Sequence, residues 1–163
     1  DNDYSSFIQM SSHLSKWGRL AVIPMVGHYN MRGFNRSLRE ATGHVNKVNF
    51  CEGVSHGDEY AFLEQVRNRK CDCLLVVGSD PFSSLPKSVA DSLAGIPRIV
   101  IDPFQSSTSR SSTVVLGPSI TGVESAGTAV RMDGTEIKLS PAVKTTRMSD
   151  EDILKRLMER VSR

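Results

Sequence analysis

Aromatic residues are scarce, at 6% of the chain, and there is a single tryptophan, Trp17. The three cysteines, Cys51, Cys71 and Cys73, are odd in number and show no CxxC spacing. That argues against a disulfide framework or a zinc ribbon, and makes a reducing, cytoplasmic compartment the expectation. No long apolar run is present: Leu20 to Val26, the longest, contains Pro24 and falls far short of a membrane span. The acidic start, Asp1-Asn2-Asp3, has no signal-peptide pattern. With so short an apolar run a membrane partner is not expected, and since 20 Lys and Arg face 18 Asp and Glu a bulk nucleic-acid binder is not expected either, a local patch aside. Residues 1–51 are the exception, with six basic residues against three acidic ones, and an anionic ligand would more readily meet that third. There is no GxGxxG and no P-loop, so an ordinary dinucleotide or ATP site is unsupported. No internal repeat is visible, and the chain does not begin with Met, which fits a piece of something longer.

What is present is the grammar of one α/β domain over residues 1–163, a length sufficient for a proper core. Residues 4–15 and 34–42 read as helices, the second stopping at Gly43. Leu20–Val26 and Val45–Cys51 read as strands, and Asp58 is placed to cap a helix running to about Lys70. Cys73–Val77 is a wholly apolar run, as expected of a parallel strand covered on both faces, with Cys71, Cys73, Leu75 and Val77 on one of them. A helix around Pro86 to Gly95 and a strand at Ile99–Ile101 follow, then a Ser/Thr-rich loop over 105–113 and a strand at Val114–Leu116. Asp133-Gly134 between two alternating runs predicts a small hairpin. Ser149 to Asp152 is a capping box for a final helix. The alternation predicts a doubly wound, mainly parallel, Rossmann-like sheet in three layers, with a peripheral hairpin and a C-terminal helix.

In such sheets ligands bind beyond the carboxyl ends of the strands. Four stretches fall at or near those ends, and they supply the candidate binding residues. The first holds Gly27, His28, Tyr29 and Asn30 with Gly33; the second, Gly78, Ser79 and Asp80; the third, Asp102; the fourth, Glu124, Gly127, Thr128 and Arg131. Gly78 would let a phosphate or base approach the backbone and Ser79 would donate to it. Asp102 would accept from ribose hydroxyls or from the adjacent N–H groups of a guanine edge. Against this stands the plain alternative that Gly, Ser, Asp and Pro make turns. Arg32, Arg36 and Arg39 form either a solvated helix face or a pyrophosphate partner. No residue is assigned a catalytic or metal-ligating role: the cysteines read as small hydrophobes, and no Ser-His-Asp order or carboxylate pair can be defended.

Four segments occur together and in order: Pro24 to Gly33, Val76 to Pro81, Ile101 to Pro103 and Gly122 to Gly134, the last being the most specific. In these the chain resembles the C-terminal part of the B subunit of formylmethanofuran dehydrogenase, of the molybdopterin oxidoreductase superfamily. The resemblance implies a full-length protein carrying molybdenum or tungsten on molybdopterin guanine dinucleotide. With the other subunits of its complex, that protein takes part in carbon dioxide reduction and formylmethanofuran metabolism. The resemblance implies a fragment that holds the guanine dinucleotide parts, lacks the iron–sulfur and metal-ligand regions, is inactive alone and can be without bound cofactor by itself. The segment from His44 to Gly57 and the Pro103-Phe104 pair depart from the family pattern. A stand-alone or degenerate nucleotide-binding module, and the middle domain of thiamine-diphosphate enzymes, are the competing classes.

Overall fold

The computed structural model describes residues 4–22 and 27–161. In chain order the helices are α1 (Ser5–Leu14), α2 (Met31–Thr42), α3 (Phe62–Arg67), α4 (Pro81–Ser84), α5 (Lys87–Leu93), α6 (Ser107–Arg110) and α7 (Asp150–Val161). The strands are β1 (Val48–Asn49), β2 (Ser55–His56), β3 (Leu74–Val77), β4 (Arg98–Ile101), β5 (Val114–Leu116), β6 (Gly127–Val130) and β7 (Glu136–Leu139). The parallel sheet, the hairpin and the terminal helix expected from the sequence are all present. β3, β4 and β5 form the parallel sheet in that order, with Val76 opposite Val100 and Val100 opposite Val115. The hairpin is β6–β7, turned at Gly134 with φ 93°.

Alternation along β3 decides where the core lies. Leu74 and Val76 point to one face and join Val66 of α3, Val89 and Leu93 of α5 and Val100 of β4. Leu93 and Val100 are completely buried, and full burial of such a side chain stabilises by about 1.5–3 kcal/mol. Among the described residues, coverage of both faces is not observed. Leu75, Val77 and Val114 remain 54%, 42% and 42% exposed, because α3 and α5 pack on one side only. The buried pair on β3 is therefore Leu74 and Val76, and Cys73 is exposed while Cys71 is half-buried against the core.

Other elements differ in their limits. Leu20 to Val22 lie in no strand, and the remainder of the expected strand, residues 23–26, lies outside the described residues. The strand expected at Val45–Cys51 shrinks to Val48–Asn49, paired with Ser55–His56. Asp58 does not cap a long helix. It opens a single 3-10 turn, Asp58–Tyr60, and accepts from Lys47 Nζ at 2.5 Å, while extended Ala61 precedes the short α3. The Ser/Thr-rich stretch after β4 contains α6, held by a capping box of Ser106 and Ser109. The Ser149–Asp152 capping contact is present, with the Asp152 amide donating to Ser149 Oγ at 3.1 Å. Among the described residues no helix is long and apolar enough to cross a membrane.

One buried cation braces the sheet. Arg98, at the start of β4, is 5% exposed. Its Nη1 donates to the carbonyls of Leu93 at 2.5 Å and Ile96 at 2.8 Å, and its Nη2 donates to that of Ser111 at 2.5 Å. The guanidinium also lies over the Phe82 ring, 4.8 Å from its centroid. These carbonyls close α5 and lead out of α6, where a helix leaves acceptors unpaired and favours positive charge. Arg98→Met should destabilise the fold by about 2–4 kcal/mol, since it strands buried acceptors; a shift in the chemical-denaturation midpoint would measure it.

Candidate functional site

Parallel register brings the ends of β3 and β4 out at one edge, which places Gly78 and Asp102 together. Gly78 follows β3 with φ 56°, and a Cβ built there meets nothing within 4 Å, so its backbone faces open space. The Asp102 amide donates to Leu116 O at 3.1 Å, and its Oδ1 accepts from the Phe104 amide at 2.8 Å, an Asx turn that folds Pro103 and Phe104 over the strand end. Gly78 and Asp102 line a cleft of about 400 Å³ together with Tyr29, Phe104, Ser119 and Asp150. Its described lining contains two carboxylates and no Lys or Arg. Tyr29 and Phe104 are 69% and 65% exposed, leaving ring faces available to a flat ligand.

A second cleft, of about 570 Å³, adjoins the first through Tyr29, which lines both. It lies between the loop Gly27–Asn30 and the hairpin, and its wall includes His28, Arg32, Arg131 and Asp133. Arg131 pairs with Asp133 at 2.9 Å and is largely exposed. The positive charge absent from the first cleft is thus found in the second.

The two walls of the second cleft are joined by Asn30. Its backbone is left-handed, φ 52°. Its side-chain Nδ2 donates to Thr128 O at 3.2 Å and its Oδ1 accepts from Val130 N at 2.8 Å, so the amide pairs with the free edge of β6 as a strand residue would. Arg32 Nη1 donates to Met132 O at 2.5 Å, and Arg36 pairs with Glu136 at 2.9 Å and Glu40 at 3.1 Å. Arg32 and Arg36 therefore fasten α2 to the hairpin.

Gly33 leaves room for this arrangement: a Cβ there would overlap the Asn30 side chain. Gly127 similarly faces Thr121 Cγ2 at 2.7 Å from a built Cβ. Thr128 contributes its carbonyl to Asn30. Glu124 turns back to accept from the Ile120 amide at 2.9 Å, fixing the loop before β6.

Asp80 also turns inward. Its Oδ1 accepts from Thr108 N at 3.0 Å and Thr108 Oγ1 at 2.5 Å, while its Oδ2 accepts from Ser83 Oγ at 2.6 Å and Ser107 N at 3.3 Å. Partial burial would raise its pKa, but the bonds from Ser83, Thr108 and Ser107 outweigh it and hold the carboxyl at about 2. Ser79 is half-buried beside it. Of the candidate residues, the clefts collect Gly27, His28, Tyr29, Asn30, Gly78, Asp102 and Arg131. Gly33, Ser79, Asp80, Glu124, Gly127 and Thr128 line neither cleft. Sequence reasoning missed Ser119, on a loop with no motif of its own, and saw Asp150 only as part of a helix start. Among the described residues no group of three or more His, Cys, Asp or Glu could hold a metal ion.

No family model matches the chain. It is 33% identical over 158 residues to the B subunit of tungsten-containing formylmethanofuran dehydrogenase 2 from Methanocaldococcus jannaschii, and 34% identical over 158 residues to that from Methanococcus maripaludis. Both alignments cover 94% of this chain. Nearly the whole chain is thus similar to a part of the formylmethanofuran dehydrogenase B subunit. It spans 36% of the length of these relatives. The fold is also that of a chain in the formyltransferase/hydrolase complex (FhcABCD) from Methylorubrum extorquens in complex with methylofuran. The TM-score is 0.71 at 17% identity, covering 93% of this chain and 43% of that one.

Two outcomes test the local architecture. Gly33→Ala should push the Asn30 amide off β6 and cost about 1–3 kcal/mol, seen as faster hydrogen exchange at Val130. The Asp80 contribution should be complete above its unfolded value near pH 4 and vanish as pH falls through about 2, since its folded pKa is the lower one. The stability gap between Asp80→Asn and wild type should therefore close in an acid titration followed by circular dichroism.

Proposed function

We propose that this chain is the guanine-dinucleotide-holding domain of a longer formylmethanofuran dehydrogenase-like protein, one that carries molybdenum or tungsten on molybdopterin guanine dinucleotide. Within the complete protein and its partner subunits it would serve carbon dioxide reduction and formylmethanofuran metabolism in the cytoplasm. The metal–pterin group, when bound, supplies the redox chemistry; the residues of this chain bind and orient its nucleotide end. The observation that carries the reading is the division of charge between the two adjoining clefts.

The cleft at the strand ends suits a neutral, donor-rich ring. Asp102 is acceptor-only, no cation is found in its described lining, and Tyr29 and Phe104 offer aromatic faces. Guanine presents two adjacent N–H donors, which one carboxylate can accept together. The neighbouring cleft carries the largely exposed Arg131, paired with Asp133, and has His28 and the hairpin-bound Arg32 in its wall, a setting for phosphates. Open backbone at Gly78 permits close approach between them. The half-covered sheet, with Leu75 and Val77 exposed, supports the view that further chain packs here, because parallel sheets are normally covered on both faces.

Calorimetry on the intact apoprotein tests the reading. GDP should bind more tightly than ADP, and Asp102→Asn should remove about 1.5–3 kcal/mol from GDP binding, roughly a ten- to hundredfold loss. It should not weaken ADP binding, since the amide relieves the carboxylate's repulsion of the adenine ring nitrogen. The natively purified protein should contain molybdenum or tungsten together with pterin guanine dinucleotide. GDP binding without metal or pterin in the native protein would favour a nucleotide-binding module without redox activity.

A further inference from the structure

Ser119 stands out among the residues lining the strand-end cleft. It is 3% exposed, and its Oγ has no hydrogen-bond partner among the described residues. Its position is nonetheless fixed. Its amide donates to Met148 O at 2.8 Å, just before α7, and buried Pro118 precedes it. An unpaired buried hydroxyl is costly, whereas alanine would fill nearly the same space at no such cost. The hydroxyl therefore gives the fold nothing that the structure shows, and Ser119 is one of the residues lining a cleft together with Asp102, Tyr29 and Phe104.

We propose that Ser119 Oγ is a ligand-binding group, contributing a hydrogen bond to the occupant of the strand-end cleft. A hydroxyl both donates and accepts. It complements Asp102, which only accepts, and so provides for a ring that presents an acceptor beside its donors. Guanine, with its carbonyl next to a ring N–H, is such a ring; adenine, with an unprotonated ring nitrogen beside its amino group, meets the Asp102 carboxylate with a repelling lone pair. This inference rests on the nucleotide reading above and assigns a second recognition residue to it.

The test joins calorimetry with thermal unfolding on the intact apoprotein, using GDP as the probe and Ser119→Ala as the variant. GDP binding should weaken roughly tenfold, the loss of about one hydrogen bond. The midpoint of unfolding without nucleotide should stay the same or rise. A fall in that midpoint would make Ser119 a structural residue and overturn the proposal. So would unchanged GDP affinity in Ser119→Ala alongside weakened affinity in Asp102→Asn, an outcome that leaves the nucleotide reading intact. Absence of GDP binding in the wild type would overturn both.

Discussion

The contact between the Asn30 amide and the edge of β6 holds together parts of the chain about a hundred residues apart. β6 is paired on one side by β7, and its other edge presents a carbonyl and an amide at Thr128 and Val130. Backbone groups of this kind demand partners. A primary amide carries a donor and an acceptor in the spacing of a peptide unit, so it satisfies both. Reaching them requires a left-handed backbone at Asn30, a conformation that asparagine tolerates better than most residues. It also requires the absence of a side chain at Gly33. The sequence Asn-Met-Arg-Gly is thus a single mechanical unit, and the second cleft exists because that unit locks α2 against the hairpin.

The strand-end cleft depends on a different set of restraints. Parallel pairing sends β3 and β4 out on one edge, but the loops that follow would be free to splay without further ties. Asp80 draws the start of α4 to the start of α6, giving its carboxylate to donors from both. Arg98 does the corresponding work at the opposite end of the sheet, where it gathers carbonyls from Leu93, Ile96 and Ser111. Each charge gathers several hydrogen bonds, which offset the cost of taking it from water, although the Arg98 Nε is buried without a partner among the described residues. With Asp80 engaged in this way, Asp102 is the strand-end carboxylate left facing the cleft. The exposed ion pairs on α2 and α7 contribute far less individually, because solvent screens them.

Much of the fold was legible because it rests on local rules. The apolar runs at Leu74–Val77 and Ile99–Ile101, the intervening helix and the Asp133-Gly134 turn each announce themselves through pattern or turn chemistry. Gly43 marks the end of α2 as expected, with φ 81°. Failures came where a distant contact overrode a local signal. Asp58 is a good capping residue, yet Lys47 takes its carboxylate and the helix starts later. The Ser-rich stretch after β4 reads as loop, yet Asp80 and its own capping box make it helical. An apolar run at β3 suggests two covered faces, but only the placement of α3 and α5 decides how many are covered here.

For the site, the order of residues alone settled the chemical inventory: glycines at strand ends, a carboxylate at Asp102, arginines near the first loop, and motif order matching a known family. Those follow from residue type and spacing, which are local properties. Long-range packing allocated the roles. It turned Asp80 and Glu124 inward as structural acceptors, committed Arg32 and Arg36 to the hairpin, separated the carboxylate-lined cleft from the cationic one, and brought Ser119 and Asp150 to a wall they share with Tyr29. Such assignments depend on which groups find hydrogen-bond partners across long sequence separations, and no pattern of neighbouring residues encodes that.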